Sequence, residues 1–145
     1  MSEVSQSDWE TAVMTPFATY WAARTEIASP NREFNRAKVE ADTFIEWSML
    51  GAAAGETRYS HSVARNHFSR AGSMTFIANV KVHLKVALAL DLLDAISLFW
   101  ETAVIPNGYF VSVGTPVPLG DDGSWHQVSL SANWLYFTDR PSTLT

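Results

Sequence analysis

The sequence predicts an α+β fold: a single twisted mixed or antiparallel sheet with two main helices packed on one face, ending in a long β-hairpin. Three observations lead there. Apolar residues recur at every fourth position near the N-terminus and again from about residue 84, whereas the stretches between and after these alternate apolar with polar. The periods follow one another as helix, short strand, two strands, helix, hairpin, which suits one sheet covered by helices. The 145 residues, 47% of them hydrophobic, are enough for one buried core, so residues 1–145 form a single domain.

Ser7-Asp-Trp-Glu10 has the spacing of a capping box, and Trp9, Val13, Phe17 and Trp21 then share a helical face, predicting a helix from about Ser7 to Arg24. Pro16 either kinks this helix or takes the first position of a second start capped by Thr15. Thr25-Glu-Ile-Ala28 reads as a short strand broken by Ser29-Pro-Asn31, and the stretch from Arg32 to Asp42 as a solvated connection. From Thr43 to Leu50 residues alternate again, with Ile45, Trp47 and Met49 on one face of a strand. Gly51 to Arg70 is rich in small, polar and basic residues without period, which predicts a long loop, mobile until a partner fixes it. Ala71 to Val82 forms the next strand, with Met74, Phe76, Ala78, Val80 and Val82 opposed to Thr75, Asn79 and Lys81. Beyond it Leu84, Leu88, Leu92, Ile96 and Phe99 line one stripe while Asp91, Asp94 and Glu101 face away, so a core-facing helix runs from about Lys85 to Trp100. Ile105-Pro-Asn-Gly108 stops it. In the last forty or so residues, Tyr109 to Gly114 and Trp125 to Phe137 are the arms of the hairpin, with Pro116, Pro118 and Gly120-Asp-Asp-Gly123 as its turn. Val128, Leu130, Ala132, Trp134 and Tyr136 mark its buried face.

Chemistry is harder to find. The chain has no cysteine, which excludes a disulfide scaffold, a thiolate zinc site and a cysteine nucleophile. His61 and His67 are six apart, a spacing that fits no helical metal pair, and His83 and His126 have no recognisable carboxylate partner. Neither a nucleophile elbow nor a phosphate-binding glycine loop is present, and Asp121-Asp122 lacks the further oxygens of a calcium loop. No catalytic residue, metal site or cofactor is therefore expected, and the chain is read as not an enzyme. A net charge of −5 disfavours stable binding to nucleic acid. The polar, acidic first ten residues and the lack of a long apolar run imply synthesis in the cytosol without membrane insertion. What remains is a basic and aromatic cluster, Arg58, Tyr59, Arg65, Phe68 and Arg70, a composition that suits a protein partner. Most of the six tryptophans should be core, with a few at subunit contacts.

From Gly72 to Asp139 the order of parts resembles the tail terminator (tail completion) proteins of lambda-like, long-tailed bacteriophages. The matching residues are Gly72 opening the central strand, a helix ending near Trp100, then Gly114, Gly120, Trp125, Gln127 and Val128 in the hairpin. The first half follows more loosely through Ile27-Ala-Ser-Pro-Asn31 and Phe34, with Asn35 where the family usually has proline, and 51–70 falls in a region variable in the family. The resemblance implies a homohexameric ring in the virion that binds the end of the tail tube protein's polymer, stops its growth and offers its other face to the head-tail connector or stopper. DNA would pass through the lumen without specific binding. Two alternatives stand beside it: a head-to-tail stopper or other neck protein, and a small ligand-binding or enzymatic domain using His61, His67 or His126.

Overall fold

The computed structural model describes residues 3–22, 24–29, 41–61 and 65–141. The Asn31 and Phe34 turn, and the connection from Arg32 as far as residue 40, lie outside them. The first helix, α1 (Gln6–Trp21), starts two residues earlier than Ser7 suggests. Ser5 is its N-cap: the Ser5 hydroxyl accepts from the Asp8 N–H at 3.1 Å, and the Asp8 carboxylate accepts from the Ser5 N–H at 2.9 Å. The earlier start puts Val4 just before the cap and Trp9 at the fourth helical position, both buried in one cluster, which is the arrangement of a hydrophobic staple. Pro16 sits inside one continuous helix with no second start. It faces solvent, where water can satisfy the carbonyl its ring leaves without a donor.

Among the described residues six strands form one sheet: β1 (Glu26–Ala28), β2 (Thr43–His61), β3 (Arg65–Lys81), β4 (Gly108–Val113), β5 (Val117–Asp121) and β6 (Trp125–Pro141). The order is β1-β2-β3-β6-β4, with β5 also paired to β6. Only β1 and β2 run parallel, so the sheet is mixed. The expected loop from Gly51 to Arg70 is a correction: its described residues extend β2 to His61 and begin β3 at Arg65, paired from Glu56↔Arg70 to His61↔Asn66, while 62–64 lie outside them. Register shifts between Gly51 and Glu56 and between Arg58 and Ser60 erase the alternation that would have announced a strand. What holds β3 extended there is β6, which pairs with it without interruption from Lys81↔Trp125 to Arg65↔Pro141.

The second helix, α2 (Ala87–Thr102), buries Ala89, Leu93, Ile96, Phe99 and Trp100. Ile96 and Phe99 of the expected stripe are buried and Leu84 and Leu92 pack partly against the core, but Leu88 is 41% exposed and Ala89, Leu93 and Trp100 complete the buried side instead. The small Ala89 faces the core, and Trp100 fits between Phe76 and Phe110, with ring centroids 5.5 and 5.6 Å away. Both helices cover one sheet face through a core that includes Trp9, Phe17, Trp21, Phe76, Trp134 and Tyr136. Gly72 makes room for Trp134: a Cβ there would stand 2.3 Å from the indole and 2.2 Å from the Leu50 carbonyl oxygen.

The hairpin also differs in detail. Its first arm has two pieces, β4 and β5, and Pro118 lies in β5 at the sheet edge, where a missing N–H costs no ladder bond. The turn itself is short. Asp121 accepts from the Gly123 N–H at 3.1 Å, Asp122 from those of Ser124 and Trp125 at 3.0 and 2.8 Å, and Gly120 and Gly123 adopt φ of +89° and +93°.

Candidate assembly surfaces

The five residues singled out in the sequence occupy paired strands. Arg58 is exposed on β2, Phe68 and Arg70 are half-buried on β3, and Tyr59 and Arg65 lie on β2 and β3 with side chains outside the described residues. Register sets Arg58 opposite Phe68, Phe68 opposite Thr138, and Arg70 opposite Tyr136. Tyr136 and Thr138 belong to the helix side of the sheet, since Tyr136 stacks on Trp9 at 5.4 Å and the Thr138 hydroxyl accepts from the Val4 N–H at 2.7 Å. Arg58, Phe68 and Arg70 thus share that side at the sheet's far end. Arg140 joins them, its guanidinium 6.0 Å from the centre of the Phe68 ring, and Arg70 donates to the Tyr136 hydroxyl at 3.3 Å. Sequence reasoning missed Arg140, although the alternation of β6 carried two residues past Thr138 reaches it.

On the opposite side of the same end, His67 and Asp139 are direct partners across β3 and β6, and His67 Nδ1 bonds the Asp139 carboxylate. Asp139 is only 2% exposed. The expectation that His126 has no carboxylate partner is corrected: its Nδ1 lies 4.0 Å from Asp121 and its Nε2 is 3.1 Å from the Val82 carbonyl oxygen. These partners are 72 and 5 residues apart in sequence, so only strand pairing brings the first two together. Between the two ends, Ala71, Gly72, Ser73, Val111, Asn133, Trp134 and Leu135 line a shallow groove of about 360 Å³. None of these residues is ionisable, so the groove supplies no acid or base. Among the described residues no group of three or more His, Asp or Glu could hold a metal ion.

The sheet's β4–β5 edge is apolar and uncovered: Tyr109, Val111, Val117 and Leu119 are 52–59% exposed. Val111 protrudes at a bulge between Phe110 and Ser112. Beside it the sheet face away from the helices is polar, with Thr75 bonded to Ser131 at 2.8 Å and Asn133 to Ser112 at 3.0 Å. Among the described residues no helix is long and apolar enough to cross a membrane.

No protein-family model and no curated protein matches the chain. Among solved structures, a protein whose name carries no functional description matches with a TM-score of 0.56 at 15% identity, over 88% of this chain and 94% of that one. At that identity the likeness is one of fold, and the chain shares the α+β architecture of that structure along nearly its whole length.

Proposed function

We propose that the chain is a structural virion protein of the tail terminator type: it forms a homohexameric ring on the end of a phage tail tube, ends the tube's polymerisation and gives the head connector a surface to dock on. The β4–β5 edge carries this reading. A strand edge with Tyr109, Val111, Val117 and Leu119 exposed invites cover by another chain, and a closed assembly provides it without runaway growth. Support also comes from the element order, which matches what the hairpin and central-strand residues imply by resemblance. The net charge of −5 suits a lumen through which DNA slides without adhering. Electron microscopy of tail tubes polymerised with the purified chain tests the proposal. A six-fold layer at one tube end, with growth halted there, is expected; tubes that lengthen unchecked, or a layer of three- or four-fold symmetry, count against it.

A further inference from the structure

Charge is unevenly distributed in this molecule. The helices α1 and α2 carry Asp8, Glu10, Asp91, Asp94 and Glu101 and not one lysine or arginine. Along the side of α2 turned from the core, Leu90, Asp91, Asp94, Leu98 and Glu101 form one exposed stripe, with Leu90 and Leu98 43% and 53% exposed. Among the described residues no cation pairs with these three acids. The far end of the sheet carries an excess of the other sign: Arg58, Arg70 and Arg140 surround the half-buried Phe68, with Glu56 opposite Arg70 as the acid of β2 there, and Arg58 is exposed with no ion-pair partner among the described residues.

We infer that copies of this chain meet head to tail, the acidic outer stripe of α2 on one copy seated on the arginine-bearing end of the sheet on the next. Each surface has a small apolar centre, Leu90 and Leu98 on one and Phe68 on the other, within a charged surround of opposite sign, the composition of a specific interface. Pairing like with like would set three carboxylates against three, so the two-fold arrangement is opposed by charge. Unlike pairing is heterologous, leaves each copy one face of each kind, and closes into a ring if the rotation allows. The inference rests on the ring reading above and assigns the surfaces that build the ring.

The test is the mass distribution of the full chain against concentration at low and high salt, for the wild type, Asp94→Lys, Glu101→Lys and Arg58→Glu. All three positions are exposed, and unchanged thermal unfolding confirms that each variant is folded. The wild type is expected to associate, less so as salt rises, and each variant to need about tenfold higher concentration. Asp94→Lys and Arg58→Glu mixed in equal amounts should associate at the wild-type concentration, since each supplies the face the other has lost. If the variants assemble like the wild type, these surfaces are wrong while the ring reading stands. Failure of the mixture to recover overturns the head-to-tail geometry. A wild type with the mass of one chain under every condition overturns this inference, whereas the ring reading is decided by the microscopy of tube ends. If Arg58→Glu loses binding to tail tubes but keeps self-association, the arginines belong to the tube contact and the inference falls.

Discussion

Trp134 and Trp125 lie on one strand, β6, and on opposite sides of the sheet. Trp134 is packed among Trp9 and Tyr136, ring centroids 6.0 and 5.6 Å away, under a layer of two helices. Trp125 is also buried, but in a cluster of three with Ala28 and Phe44, edge-on to Phe44 at 4.8 Å and with the Lys81 ammonium 5.9 Å from its ring. Next to it the buried Asn79 accepts from the Gln127 amide at 3.0 Å. Both tryptophans are buried, yet among the described residues one lies under two helices and the other against Ala28, Phe44, the Lys81 side chain and a polar pair. Burial alone does not fix what a side chain contributes; the number of neighbours able to close over the space does.

That comparison can be broken by substitution. Trp134→Ala should cost the most, about 4–5 kcal/mol, because the rigid helix layer cannot collapse into the cavity. Trp125→Ala should cost about 3 kcal/mol, at the low end for such changes, since its small cluster stands near the sheet's end and can relax. Chemical denaturation of the two variants checks the order, and equal losses would show that the open side is as tightly built as the helix side. Gly72→Ala sharpens the same point by overfilling instead of emptying. Its added methyl meets the Leu50 backbone and the Trp134 ring, and a loss of about 2 kcal/mol in the same measurement is expected.

The smallest effect lies at the helix start. Ser5→Ala should cost about 1 kcal/mol through loss of the cap. The cap also responds to pH: the bonds from the Ser5 backbone N–H and then the Ser5 side chain hold the Asp8 carboxyl below its ordinary value. A depressed value means that this contribution is fully present above the ordinary carboxylate range and fades as pH falls through the lower folded value. The difference in melting temperature between wild type and Asp8→Asn should therefore shrink on acidification, as the Asp8 carboxylate is protonated; a constant difference would show that the Asp8 charge does not take part.

Much of this architecture was legible because its signals are local. The buried sides of α1 and β6 follow from Trp9, Val13, Phe17 and Trp21 at helical spacing and from Val128 to Tyr136 at alternate positions, and the structure buries every one of them. In α2 Ile96 and Phe99 are buried as their spacing predicts, but Leu88 gives way to Ala89 because leucine occurs all round that helix, at 88, 90, 92, 93 and 98, so hydrophobicity could not choose between neighbouring positions. The stretch from Gly51 to Arg70 was illegible for another reason: bulges break its period, and its extended form depends on a partner strand from the other end of the chain.

The candidate surfaces divide in the same way. Arg58, Phe68 and Arg70 could be named from composition, but their common side, the addition of Arg140, and the pairing of His67 with Asp139 could not. Sequence by itself determined that α1, α2 and the regularly alternating parts of β2, β3 and β6 form, and which sides of α1 and β6 are apolar, because those patterns repeat within a few residues. Tertiary structure decided how far β2 and β3 run, which arginines gather, and which edge stays open. Those depend on register between residues some seventy positions apart, and hydrogen bonds across a sheet leave no periodic mark in either strand alone.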